Sequence, residues 1–263
     1  MKLIALYKTF SGEDFVIASI ESIYKHCDKI VFVHSNYSWM GEKGNTVAPV
    51  VENWCKLHDV EHKIINLYTN INDQEKQYDF GVDYIKKHIT SASNDFIMLI
   101  DTDEVWDDVQ LVKALKLIDS NSNYTAFSIM LHTYIKSIFY RITPPEWCRP
   151  TAFVRSSVPK LVGIRGNNTS PKLLLEDVYM HHFTYVRLKE KDVIDKIKRT
   201  TFTEKEVIFD LDWWIREKWN KLPYAKDFHT VKSAATSWHE IRVISLNELP
   251  ETMIKNGFHK GFI

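Results

Sequence analysis

Cysteine is scarce: Cys27, Cys55 and Cys148 are the only three in 263 residues, widely spaced and without a Cys-x-x-Cys pair. That excludes a cysteine zinc site and a disulfide framework, and the expectation is a reducing compartment, the cytoplasm. An excess of charge of one sign is also lacking. Lys plus Arg and Asp plus Glu balance at 34 each, so no global field draws the chain to nucleic acid or a membrane. No apolar run approaches the length of a membrane span, and the apolar start (residues 1–8) is too short for a signal peptide. Internal repeats, low-complexity stretches and an obvious interdomain linker are missing too.

What is present is an alternation of apolar runs and helical stripes. Residues 3–7, 30–33, 63–65 and 96–100 read as strands, the second and fourth of them buried. Between them, Val16, Ile20, Ile23 and Tyr24 form one helical stripe, Val47, Val50, Val51, Trp54 and Cys55 a second, and Tyr78, Val82, Ile85 and Ile89 a third. Strand–helix alternation implies a mostly parallel sheet with right-handed crossovers, an α/β core over residues 1–120. A section at 121–187 reads as strands without intervening helices (125–131, 134–141, 151–154 and 178–186), completing the same domain on its acceptor side. Residues 188–263 read as a C-terminal helical lobe, with stripes at Val193, Ile194 and Ile197 and at Leu211, Trp214, Ile215 and Trp219.

The chemistry concentrates at Asp101-Thr102-Asp103-Glu104, directly behind the run Phe96-Ile97-Met98-Leu99-Ile100. A buried strand ending there delivers three carboxylates to the C-terminal edge of the sheet, where open α/β proteins bind ligands. Three anions so close raise one another's pKa, and a hard divalent cation, Mg²⁺ or Mn²⁺, would remove that cost. The bland alternative is a solvated acidic turn that only caps the helix starting near Asp107.

The strand–helix–strand start, the polar loop at 34–45 and the strand ending in Asp-Thr-Asp-Glu together resemble the family 2-like glycosyltransferases of the GT-A fold. Tyr179-Met180-His181-His182-Phe183-Thr184-Tyr185-Val186-Arg187 is similar to the His-containing strand that follows their acceptor region. The resemblance implies a nucleotide-sugar donor (a UDP-sugar), a divalent metal on its diphosphate, and an acceptor on the opposite side of the sugar. It makes Asp103 the direct metal ligand, turns Asp101 to the ribose or the metal, and leaves Glu104 in support. His182, with His181 as rival, is the candidate third ligand; strand alternation lets at most one of them reach the metal.

Phosphate-clamp candidates are Arg187, Lys189 and Arg165, the last in Arg165-Gly166-Asn167-Asn168. The family's acidic residue after the second strand is replaced by Val33-His34-Ser35-Asn36. Base recognition then falls to the backbone around Lys8 and Thr9, to His34 or Ser35, and to Gln77 or Asp79, with Gln77 able to pair a uracil edge. For a catalytic base the candidates are Glu146, beside Trp147, and Glu176 or Asp177.

The acceptor is expected to be a surface glycan or lipid-linked sugar, or a hydroxymethylated DNA base. Compact length and a Lys- and Asn-rich composition suit a phage protein, in the cytoplasm of an infected host. The tail's Lys189, Lys191, Lys196, Lys198 and Arg199, followed by Trp213, Trp214 and Trp219, would then meet phosphates and a flipped base. A competing activity is nucleotidyl transfer, which usually shows a Gly-rich phosphate loop; residues 7–12 hold one Gly. A non-catalytic nucleotide-sugar-binding module is the third reading.

Overall fold

A computed structural model describes residues 1–10, 14–38, 41, 43–44, 46–90, 94–145, 149–158, 165, 171–187, 189–200, 210–230 and 237–261, without the side chains of 199, 200 and 259. The apolar runs form β1 (Leu3–Thr9), β2 (Lys29–Ser35), β3 (Ile64–Thr69) and β4 (Phe96–Ile100), paired parallel in the order β3-β2-β1-β4. Every residue of β1 and β4 is buried, as strands covered on both faces require. The connections carry α1 (Val16–Ile23), α2 (Ala48–His58) and α3 (Gln74–His88).

Alternation along the strands sorts the core into two layers. Ala5, Tyr7, Phe32 and Met98 face α1 and α2, with Tyr7 and Phe32 stacked at 4.5 Å. Leu6, Val33, Ile97 and Leu99 face Tyr78, Val82 and Ile85 of α3. Each such side chain contributes about 1.5–3 kcal/mol by leaving water. Asp107 starts α4 (Asp108–Ser120), its carboxylate accepting the N–H groups of Val109 and Gln110 at 2.8 and 3.4 Å.

The later strands extend the same sheet. β8 (Thr151–Arg155) lies antiparallel between β4 and β6 (Ala126–Ile135). β9 (Lys172–Tyr185) runs parallel along the other edge of β6 and pairs with the two-residue β5 (Glu104–Val105), placing Glu104 opposite His182. The segment 134–141, expected as one strand, is broken: Lys136 turns the chain at φ 64°, and β7 (Tyr140–Thr143) begins beyond it. Positive φ is incompatible with extended pairing. The turn also drops Ile138, fully buried, into a core with Phe15 and Phe183.

The tail is not purely helical. α5 (Glu190–Thr200), α6 (Leu211–Glu217) and α7 (Glu251–Lys255) are joined by β10 (Glu240–Val243), antiparallel to β7 at the sheet edge. Trp214, Trp219, Phe228 and Trp238 share one core with Ile135, Ile142 and Tyr185, so the tail packs on the strands of the middle section. The fold is mixed α/β, a partly parallel sheet flanked by helices. No helix among the described residues is long and apolar enough to cross a membrane.

Candidate active site

Ile97 and Leu99 point toward α3, and the same alternation carries Asp101 to that side as β4 ends. Its Oδ1 accepts from Lys8 Nζ at 2.9 Å and from the Tyr78 hydroxyl at 3.0 Å, while Arg165 stands 4.0 Å from Oδ2. Lys8 arrives by the same rule: it follows Leu6 on the α3 face of β1. Burial alone would raise the Asp101 carboxyl; Lys8 and Arg165 outweigh it and hold the group below the usual carboxylate range. Burial, followed by the Asp101 charge, pushes the Tyr78 phenol upward, so it stays a donor.

Glu104 is 1% exposed and closes the turn. It accepts the Asp101 backbone N–H at 2.8 Å, and both its oxygens take Arg165, Oε2 at 2.7 Å from one terminal guanidinium nitrogen. That same nitrogen donates to the Leu99 carbonyl. Arg165 was expected to clamp a phosphate. It is instead committed inward, a buried counter-ion that fastens the acidic turn to the end of β4. Burial pulls its guanidinium down, and Glu104, Tyr78 and Asp101 more than reverse that, so it stays charged.

Asp103 points to a different set of partners. Lys196 of α5 is 3.3 Å from Oδ2, and His182 Nε2 is 3.9 Å from Oδ1. The Phe183 N–H donates to the Asp103 carbonyl at 2.8 Å, which fixes β9 alongside. Against the upward push of burial, Lys196, His182 and Arg187 hold this carboxyl well below the carboxylate range. Arg187 itself donates to the Val186 carbonyl at 2.7 Å and lies 3.8 Å from Asp14. Among the described residues, four cations (Lys8, Arg165, Arg187 and Lys196) thus act on three carboxylates.

Of the two histidines, His182 is the one at the motif. His181 points to the other face, where its Nδ1 meets the Tyr134 hydroxyl at 2.9 Å and its ring stacks on Tyr134. The expected metal set of Asp101, Asp103 and His182 does not converge. Asp103 and His182 come together, but Asp101 is turned to Lys8 and Tyr78, and Glu104 is consumed by Arg165. No group of three or more His, Cys, Asp or Glu able to hold a metal occurs among the described residues. Ammonium and guanidinium groups stand at the carboxylates where a divalent ion was expected, so the donor set does not fit one.

The base-reading candidates separate. Gly81 of α3 is pressed against Leu6 and Val33: an added Cβ would meet their methyl carbons at 2.4 and 3.0 Å. Gln77 lies one helical turn nearer the N-terminus of α3, over the strand ends that carry Lys8 and Ser35. Its amide is 1% exposed, and neither its oxygen nor its nitrogen has a hydrogen-bond partner among the described residues. His34 sits on the opposite face of β2. Its Nδ1 takes the Thr9 hydroxyl at 2.8 Å, its Nε2 the Asn66 amide oxygen at 3.0 Å, and its ring stacks on Phe32. Burial lowers its pKa and keeps it neutral. Both nitrogens are hydrogen-bonded inside the fold, which places His34 in the packing.

Asp177 does not approach the site either. It is exposed where β9 bulges away from β6, beside α4, with its carbonyl accepting from Lys113 Nζ at 2.8 Å. The extra residues of a bulge are redirected off the ladder; here Glu176 and Asp177 are exposed while Val178 is buried in the core. Glu146 lies outside the described residues. Two participants were not anticipated from the sequence. Tyr78 reads there as core, and its ring is core; only its hydroxyl reaches Asp101. Lys196 reads there only as one of the tail cations for a nucleic-acid acceptor, although its position between Val193 and Ile197, on the flank of the α5 stripe, was a signal for an inward-leaning stem.

No protein-family model and no curated protein matches the chain. Among solved structures it is similar to a 4-diphosphocytidyl-2C-methyl-D-erythritol synthase, at 12% identity over 74% of this chain and 97% of that one, with a TM-score of 0.47. It is also similar to the inositol-1-phosphate CTP transferase from T. maritima, at 8% identity over 76% and 98% of the two chains, TM-score 0.41. A third, the mannose-1-phosphate geranyltransferase from Thermus thermophilus, shares 14% identity over 59% and 50%, TM-score 0.37. All three scores lie below 0.5, and the functional reading rests on the geometry of the site.

Proposed function

We propose that the chain is a glycosyltransferase that holds a nucleotide diphosphate sugar, a UDP-sugar, across the carboxyl ends of β1, β2 and β4 and passes the sugar to an acceptor hydroxyl. The observation that carries this reading is the buried Gln77 amide, with neither polar atom hydrogen-bonded among the described residues, next in the chain to Tyr78, whose hydroxyl meets Asp101 beside Lys8. Each unmet polar atom costs about 1–3 kcal/mol, a cost that a ligand offering a matching donor and acceptor removes. The imide edge of uracil offers that pair.

The charges suit the reaction. The bond between the anomeric carbon and a diphosphate oxygen breaks, the acceptor oxygen bonds to that carbon, and the acceptor proton leaves to a general base. Negative charge grows on the diphosphate, and fixed cations aimed at it are the most effective stabilisers. Lys8, Arg187 and Lys196 are the side chains proposed to meet it. Asp101 and Asp103 hold two of them in place. Glu146, outside the described residues, is the proposed base.

The cations gathered at the motif would equally accept a triphosphate, which favours nucleotidyl transfer as the second reading. Product analysis separates the two. Glycosyl transfer releases UDP from a UDP-sugar; nucleotidyl transfer releases pyrophosphate from a nucleoside triphosphate and a sugar phosphate. A calorimetric titration in which no nucleoside diphosphate and no nucleoside triphosphate binds the full chain would remove both.

A further inference from the structure

We infer that Lys196 of α5 stands in for the divalent cation at Asp103, so that this site takes up a nucleoside diphosphate through its own ammonium and guanidinium groups and needs no metal to do so. The inference rests on the diphosphate reading above and concerns what neutralises that diphosphate.

Three observations lead to it. The two aspartates of the motif are turned to separate cations: Asp101 to Lys8 at 2.9 Å, Asp103 to Lys196 at 3.3 Å. A shared divalent ion would require both carboxylates to leave these partners and converge. The side chains concerned are enclosed, Asp103 at 10% and Lys196 at 19% exposure. An ion entering beside Asp103 would therefore confront the ammonium at close range, with little water to screen it.

The backbone under Lys196 is also held. Val193 and Ile197, on either side of it, are buried at 0% and 1% in the core formed by Trp214, Trp219 and Tyr185. Glu190, at the start of α5, accepts from the Asn220 amide at 2.9 Å. The ammonium is thus presented by a packed helix, as preorganised charge must be.

The third observation is the balance of charge. Lys8, Arg165, Arg187 and Lys196 stand against Asp101, Glu104, Asp14 and Asp103, so each carboxylate of the cluster already has a cation beside it and none is left for a divalent ion to neutralise. A carboxylate that orients a lysine differs from one that ligates a metal, although the two look alike in sequence.

Two measurements on the full chain test this. Free Mn²⁺ is followed by its paramagnetic resonance signal as wild type, Lys196→Gln and Lys196→Gln/Asp103→Asn are added. Wild type should leave the signal unchanged, Lys196→Gln should gain an Mn²⁺ site, and the double variant should lose it. Uptake of Mn²⁺ by wild type that disappears in Asp103→Asn would overturn the inference, even if the Lys196 variants fail to fold.

In parallel, UDP is titrated by calorimetry in the presence of a chelator and then of Mn²⁺. Chelator should leave wild-type affinity unchanged, and Lys196→Gln should weaken it about tenfold, the loss expected for one charged contact. Binding that appears only with Mn²⁺ would overturn the inference. A chain that binds no nucleotide under either condition counts against the proposed function, while the Mn²⁺ titration still decides the role of Lys196.

Discussion

At the level of single residues, Gln77 ties a stability cost to binding. Its amide is buried without a hydrogen-bond partner among the described residues, so removing the polar atoms should help the unliganded chain. Gln77→Leu is expected to raise the free protein's stability by about 1 kcal/mol in chemical denaturation while weakening UDP binding about tenfold. Lower stability together with unchanged UDP affinity would show that Gln77 serves only packing.

The paired histidines His132 of β6 and His181 of β9 make a second residue-scale case. Burial, then the neighbouring His132 and Arg141, lowers His181 to about 3, and burial with Arg141 and Arg242 lowers His132 to about 4. Both fold neutral, whereas in the unfolded chain they protonate near pH 6.5. The unfolded state therefore binds more protons below that pH, so stability is complete above about pH 6.5 and falls as the solution is acidified toward pH 4. Thermal melts across this range should show the loss. In His132→Phe/His181→Phe the slope should flatten; an unchanged slope would place the acid sensitivity elsewhere.

Among the elements, α3 has the narrowest tolerance, because it lies over both the core layer and the binding edge. Gly81 lets it approach β1 and β2 so closely that a methyl group would sit 2.4 Å from a Leu6 methyl carbon. Alanine is the better helix former by about 1 kcal/mol, yet overpacking costs typically 1–3 kcal/mol. Gly81→Ala is expected to come out net destabilising and, by lifting α3, to weaken the Tyr78–Asp101 contact and nucleotide binding together. A variant as stable as wild type in urea, with UDP affinity unchanged, would contradict the close packing.

Element scale is also where reading from sequence succeeded best. The first four strands and the helices between them were legible because each carries an apolar run, buried in all but the half-exposed β3, or a 3.6-residue stripe, and such patterns persist whatever their neighbours do. The break at Lys136 and the strand Glu240–Val243 were not. The first depends on one residue adopting positive φ, and the second is a short, mostly exposed edge strand that exists only because β7 offers it an edge.

For the molecule as a whole, the DNA-acceptor reading meets the way the tail folds. Trp214 and Trp219, proposed as stacking platforms, are 0% and 1% exposed inside the core they share with β6, β7 and β9. Lys196 is drawn to Asp103, and net charge is zero. Duplex DNA carrying hydroxymethylated bases is expected to produce no polarisation change at low salt, where phosphate-driven binding would be strongest. A salt-sensitive change would restore the nucleic-acid acceptor.

Local pattern was enough to establish the α/β class, the strand that ends in Asp101-Thr102-Asp103-Glu104 and the concentration of chemistry there, because burial and periodicity are written into consecutive residues. It could not say which way each carboxylate turns. Asp101, Asp103 and Glu104 are near neighbours in the chain, yet their partners are Lys8, Lys196 and Arg165, separated from them by between 61 and 93 residues. Long-range packing brings those cations in, and a charge's role depends on the partner it meets in space. For that reason His34 and Asp177 fell away from the site, and a lysine from the tail entered it.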